Sequence, residues 1–403
     1  MNGKSRKTSK ILAMLLALSM IVPLSACGGS PSAASGASAG TGSAAGSDAS
    51  PKGDILFGVS TAITGAAPLE GERTKQGIDM AVEEINAAGG VLGKNLKAEY
   101  EDDANTAGTA VNVVNKLGSN PDVVCLFGPH RSTNAIAVLG SVAKNKIPFL
   151  TGGSSPSLIN SGNPYLFRIR ASDSFVAKII SKYAVEKLHG TKIALLYNND
   201  DYGVGGKDVI LADLKSRNIT PVVCEGHNTG DKDMTSVIEK AKNAGADCLI
   251  VYTHDPEAAI LARQVVELGL DVPKIGPTTY VNETWLSLVD EKTAENWYSV
   301  TDFIPSNTDE KVATFVKKFK EKYNVEPDLF ASSYYNATYL LADALKRAGT
   351  ADREKLQQEL LKTKDFPSIY GNMSANEHGE LIHDAVVAQI HDKKAVYVEK
   401  VTE

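Results

Sequence analysis

The chain is poor in the residues that build covalent or metal-held scaffolds, with four cysteines, seven histidines and two tryptophans in 403 residues. Neither CxxC nor HExxH occurs, and His378 and His383 in HGELIH are wrongly spaced for zinc, so no metal and no cofactor is expected. Cys125, Cys224 and Cys248 lie far apart in apolar runs (DVVCLFG, PVVCEG, ADCLIVY) and read as small buried hydrophobes. A Cys224–Cys248 bridge between neighbouring strands is the alternative. No apolar run reaches the roughly 20 residues of a membrane-spanning helix. Positive charge is also short: 42 Lys and Arg against 48 Asp and Glu give a net −6, which disfavours a nucleic-acid partner. What is present, 43 % hydrophobic and 22 % charged, is ordinary globular composition, and at ~150 residues per domain the length suits two or three domains.

Residues 1–26 read as a secretory signal. Basic MNGKSRKTSK precedes apolar ILAMLLALSMIV, and small residues close the segment at Leu24-Ser25-Ala26-Cys27. That tetrapeptide resembles the bacterial lipobox, which makes Cys27 the expected lipidation site and new N-terminus. Residues 28–50 contain 20 Gly, Ala or Ser in 23, too little apolar area to fold. Residues 27–53 therefore read as a lipidated cysteine and a flexible tether with a reach of roughly 25 Å. The expected location is the outer face of the bacterial cell membrane, reached through the lipid alone.

From residue 54 short β-branched runs alternate with helical patterns. Strands are expected at 55–60, 96–102, 122–128, 146–150, 192–197, 219–226 and 247–252, and helices at 71–88, 106–118, 132–145, 173–189, 203–217, 233–244 and 256–269. This alternation predicts an α/β architecture of parallel sheets with helices on both faces. Gly89-Gly90, Gly118, Gly190 and Gly245 follow helical runs where a left-handed cap is wanted, and Ser172 or Asp173 opens the helix at 173. Loops rich in Gly, Ser and Thr follow three strands: STAITGAAP, GPHRST and TGGSSPS. At the carboxyl ends of parallel strands such loops and helix N-termini present free N–H groups, which predicts a crevice for a small ligand with an anionic end.

The run ILFGVSTAITGAAPLEGERTKQGIDMAVEEINAAGGVLGKNLKAEYEDDANTAGTAVNVVNKL, with LFGPHRSTNAIAV, IPFLTGGSSPSL, YLFRIRASDS, NNDDYGVGG, VYTHDPEAAILARQVVELGL and IGPTTYV, strongly resembles bacterial branched-chain amino-acid binding proteins. The likeness extends from about 54 to 390. It implies a type I periplasmic-binding-protein fold of two doubly wound lobes joined by three crossovers near 170–173, 301–307 and 371–383. Lobe 1 would be 54–171 plus 304–376, and lobe 2 172–303 plus 377–403, ending in a hairpin that turns at Asp392-Lys393-Lys394.

The resemblance assigns the ligand carboxylate to Ser132 and to the loop Gly153, Ser154 and Ser155. Physical chemistry agrees at Ser132, which opens a helix where its hydroxyl and the first-turn N–H groups can donate to an anion, or where it serves as an N-cap. Tyr202 matches an aromatic that closes over the ligand from lobe 2. Two departures from the family bear on the ligand. Where the family has the carboxylate that pairs with the ligand ammonium, this chain has Thr278. Family aromatics are replaced by Glu70 and by His254, which precedes Asp255. Glu70 or Asp255 is then the candidate counter-charge, with a solvated rim as the alternative for these residues and Arg131.

The expected role is a solute-binding lipoprotein of an ABC importer that captures a branched-chain or other hydrophobic amino acid and delivers it to membrane permease subunits as a monomer. A carboxylate or amide lacking an α-ammonium, or a sensor role, is the alternative. Enzyme chemistry finds little support: Ser132 with His130 or His254 lacks a GxSxG elbow, 203–208 fails GxGxxG at its last position, and no GxxxxGK[ST] occurs.

Overall fold

The computed structural model describes residues 53–402. The expected signal, Cys27 and almost all of the tether lie outside these residues. No helix among the described residues is long and apolar enough to cross a membrane.

The chain runs β1 (Ile55–Thr61), α1 (Pro68–Ala87), β2 (Leu96–Asp102), α2 (Ala107–Ser119), β3 (Val123–Phe127), α3 (Ser132–Asn145), β4 (Phe149–Thr151), α4 (Pro156–Asn160) and β5 (Leu166–Arg168). These strands form one parallel sheet in the order β2-β1-β3-β4-β5. Strand β3 (VVCLF) is buried throughout, as a parallel strand covered on both faces must be.

A second round follows: α5 (Asp173–Glu186), β6 (Ile193–Asn198), α6 (Asp201–Ser216), β7 (Val223–His227), α7 (Thr235–Asn243), β8 (Cys248–Tyr252), α8 (Asp255–Glu267), β9 (Lys274–Gly276), a 3-10 turn (Thr278–Val281), α9 (Glu283–Leu288), α10 (Glu291–Ala294) and β10 (Trp297–Thr301). The chain then returns to the first lobe with α11 (Glu310–Tyr323), α12 (Leu329–Ala348), α13 (Arg353–Leu361) and a small sheet of β11 (Phe366–Ser368), β12 (Gly371–Ala375) and β13 (Leu381–Ile382). It ends in the second lobe as β14 (Ala385–His391) and β15 (Lys394–Val401). The second sheet has the order β15-β14-β10-β9-β8-β6-β7, parallel except for the terminal hairpin. Positive φ angles at Asp392 and Lys393 make the hairpin turn.

Helix α12 is buried over most of its surface. Tyr334, Leu340, Leu341 and Leu345 pack with Phe57, Ile78 and Phe127 beneath the first sheet. Its approach to α1 is close enough that a Cβ on Gly77 would strike the carbonyl of Ala331. Residues 376–382 stay with this lobe, since β13 pairs with β12 and Glu380 bridges to Arg168, so the last crossing falls at His383-Asp384, after the boundary at 376 expected from sequence.

Two local expectations change. Gly118 lies inside α2 without a positive φ, and the left-handed residue after α5 is His189, not Gly190. Cys125 and Cys248 are buried free thiols, but Cys224 is exposed because β7 is the edge strand. A Cys224–Cys248 bridge between neighbours is ruled out by β6, which lies between β7 and β8.

Candidate functional site

In each sheet the strand order reverses once, between β1 and β3 in the first and between β6 and β8 in the second. Ligands in open parallel sheets lie at the carboxyl ends of strands at such a reversal. The segments leaving those four strands meet in one cavity of about 40 Å³ between the lobes. Glu70 comes from α1 after β1, Arg131 and Ser132 from the start of α3 after β3, Tyr202 from α6 after β6, and His254 and Asp255 from the start of α8 after β8.

Of the residues singled out in the sequence, Glu70, Ser132, Ser154, Tyr202, His254, Asp255 and Thr278 line this cavity together. Gly153 and Ser155 are not among its lining. Gly153 packs beside Leu158, and Ser155 caps α4 while its hydroxyl donates to the Asp201 carbonyl at 2.9 Å. Residues read as a possible solvated rim are buried or nearly so, with Glu70 at 7 % and Asp255 at 4 % exposure.

Ser132 is the first residue of α3, and the cap position belongs to Arg131, whose side chain makes no capping bond. The Ser132 Oγ accepts from the backbone N–H groups of Ser154 at 3.2 Å and Ser155 at 3.1 Å, which leaves its hydroxyl proton to donate. Buried Arg168 holds that loop from behind, donating to the carbonyls of Ser154 and Ser155.

On the first-lobe wall, Arg131 Nη2 donates to Glu70 Oε1 at 2.5 Å, so Glu70 already has a cationic partner. On the second-lobe wall, the Asp255 carboxylate accepts, among the described residues, only long bonds from the Asn282 amide, at 3.2 and 3.4 Å. Burial, followed by the nearby Glu70 charge, pushes the Asp255 carboxyl up to about 8. His254 reaches the Asp200 carboxylate at 2.6 Å and stacks on Tyr202 with centroids 4.9 Å apart. Burial alone would raise Asp200, but the bond from His254 holds it well below the usual carboxylate range. Tyr202 therefore both lines the cavity and packs on its own lobe, against Tyr252. The Thr278 hydroxyl is hydrogen-bonded to the Thr301 hydroxyl at 2.6 Å.

The sequence reading gave no ligand role to His130, Gly152, Arg170, Asn282 or Phe330, which also line the cavity. Arg170 carried a signal, a cation inside the apolar run LFRIRA. Its Nη1 donates to His130 Nε2 at 3.2 Å, and burial with the adjacent guanidiniums keeps that imidazole neutral. Gly152 is small because a Cβ there would strike the His130 ring. Phe330 is contributed by α12, about 200 residues from the ring it packs against, His130.

The sequence profile described as periplasmic binding protein matches residues 54–395. The chain belongs to the periplasmic binding protein family. Curated relatives include the Leu/Ile/Val-binding protein BraC3 of Rhizobium johnstonii, 27 % identical over 81 % of this chain and 89 % of that protein. A leucine-, isoleucine-, valine-, threonine- and alanine-binding protein of Pseudomonas aeruginosa is 28 % identical over 81 % and 87 %. Among solved structures, the branched-chain amino-acid transporter binding protein LivJ of Streptococcus pneumoniae, in complex with isoleucine, superposes with a TM-score of 0.79 at 28 % identity, covering 87 % of this chain and all of that one. The leucine-binding protein LivK of Thermotoga maritima gives 0.81 at 23 %, over 86 % and 99 %, which supports the fold. The expected type I fold is thus the observed one, and the chain is a ligand-binding receptor of the substrate-binding class that serves ABC transporters outside the cytoplasm.

Proposed function

We propose that this chain captures a small α-amino acid between its lobes, delivers it to the permease subunits of an ABC importer, and catalyses nothing. Cys27 and the tether would hold it, as a monomer, to the outer face of the membrane. The observation that carries the reading is the pairing of opposite chemistries in one cavity. Ser132 and the α3 N-terminus offer donors to a carboxylate, and buried Asp255 offers an acceptor to an ammonium. Glu70, the other candidate counter-charge, is engaged by Arg131. Asp255 therefore supplies the counter-charge to the ammonium, which the neutral Thr278 hydroxyl lacks.

The lobes are held together by Thr133 Oγ1 donating to Asp201 Oδ2 at 2.8 Å and by Arg73 donating to Glu283 at 2.5 and 3.0 Å. A clamp whose closed form alone makes such bonds signals ligand by closing, and the permease reads the closed form. Neither histidine near Ser132 is poised as its base. Among the described residues Ser132 Oγ is hydrogen-bonded to the Ser154 and Ser155 amides and to neither imidazole.

A thermal-shift screen of the purified chain against the twenty L-amino acids tests this. A ligand at 100 times its dissociation constant adds about 2.7 kcal/mol, a midpoint rise of a few degrees. No shift from any amino acid overturns the ligand class, and chemical conversion of a bound solute overturns the non-catalytic role.

A further inference from the structure

We infer that the side chain of the captured amino acid is small, polar and uncharged, a hydroxyl or a carboxamide, and not the branched aliphatic chain that the names of the relatives suggest. This inference rests on the amino-acid reading and adds the side-chain class to it.

With Ser132 and Asp255 taken by the ligand's carboxylate and ammonium, what is left of the lining faces the side chain. Besides the rings of His130, Tyr202, His254 and Phe330, that lining has Glu70 and Arg131 on one wall, bonded to each other at 2.5 Å, and Asn282 on the other. Two polar atoms among them are buried and have no partner among the described residues: Arg131 Nε, a donor, and Asn282 Oδ1, an acceptor. Buried polar atoms of this kind are rare in folded proteins and ask for an occupant that satisfies them.

A hydroxyl or a carboxamide carries both a donor and an acceptor and can meet both atoms. An aliphatic side chain meets neither and would seal each in a dry cavity. Every such group left unmet costs roughly tenfold or more in affinity. Charge decides between polar chains. Glu70 and Arg131 neutralise each other, so a carboxylate or ammonium on the side chain would arrive without a counter-ion.

The test is isothermal titration of the purified chain at pH 8 with serine, threonine, asparagine and glutamine, set against leucine, isoleucine and valine. At least one polar amino acid should bind ten or more times tighter than any branched one. Branched chains binding as tightly or tighter overturn the inference while leaving the amino-acid reading standing. Binding only of amine-free acids overturns both. Glu70→Met with Arg131→Leu, and separately Asn282→Leu as a milder change of similar volume, should each erode the preference at least fivefold. A preference unchanged in whichever of these variants folds overturns the assignment of specificity to this cluster.

Discussion

His383 Nε2 lies 2.8 Å from Asp302 Oδ1, and the two residues sit on different crossings between the lobes. The same carboxylate accepts from the Ala171 N–H at 2.6 Å and from Arg170 Nε at 3.4 Å, on the remaining crossing. One buried Asp thus ties all three hinge segments. His383 Nδ1 lies 2.7 Å from the Leu381 carbonyl, so both ring nitrogens stand at hydrogen-bond distance from an acceptor. Burial alone would raise Asp302, but the bond from His383 and the Arg170 charge hold it at about 2.

Replacing this carboxylate, Asp302→Asn, leaves buried Arg170 without its counter-charge and His383 without its carboxylate partner. A loss of about 3–5 kcal/mol is expected by urea denaturation at pH 7. Because the native carboxyl titrates below its unfolded value, this stabilisation is complete above about pH 4 and is lost as pH falls toward 2. The variant should show less loss of stability than the parent across that window.

Asp255 behaves in the opposite sense. Its carboxyl is raised to about 8, so between roughly pH 4 and 8 the folded chain holds a proton that the unfolded chain has released. Stability therefore falls with rising pH in that window, and Asp255→Asn should remove this fall. Binding an ammonium needs the ionised carboxylate, so amino-acid affinity should rise from pH 6 to 8 with release of a proton, countable by titration in buffers of different ionisation enthalpy. The Asn variant should lose at least thirtyfold in affinity, about 2 kcal/mol.

Ser132→Ala removes a donor to the ligand and also leaves the Ser154 and Ser155 amides without their acceptor. Both affinity and the ligand-free thermal midpoint should drop, each by the equivalent of about 1–3 kcal/mol. A drop in affinity alone would show that those amides find another partner.

Arg73 and Glu283 touch across the lobes without lining the ligand cavity. Arg73→Ala should weaken ligand affinity two- to tenfold by lowering the population of the closed form, with Glu283 half in solvent setting the modest size. Small-angle scattering should show the variant more open at subsaturating ligand.

Much of the fold was legible because parallel strands and their covering helices are local patterns: every strand and helix expected between 55 and 269 is present, with ends shifted by a few residues. The site was legible at Ser132 and Tyr202 through the resemblance and at Asp255 as a candidate counter-charge, and all three line one cavity. What could not be seen was pairing across distance. Glu70 and Asp255 were equivalent candidate counter-charges in the sequence, which gave no sign that Glu70 pairs with Arg131. Cys224 looked buried because its apolar neighbours gave no sign that β7 is an edge. Asp302 and His383 are 81 positions apart, and only the three-crossing hinge brings them together.

The most direct test of the central claim compares, by isothermal titration, the amino acid that binds best with its α-hydroxy analogue, which keeps the carboxylate and side chain and lacks the ammonium. The analogue should bind at least a hundredfold more weakly to the parent chain, and Asp255→Asn should remove most of this difference. Equal affinity of the two compounds for the parent would show that Asp255 pairs with no ammonium, and would contradict the assignment of an α-amino acid to this cleft.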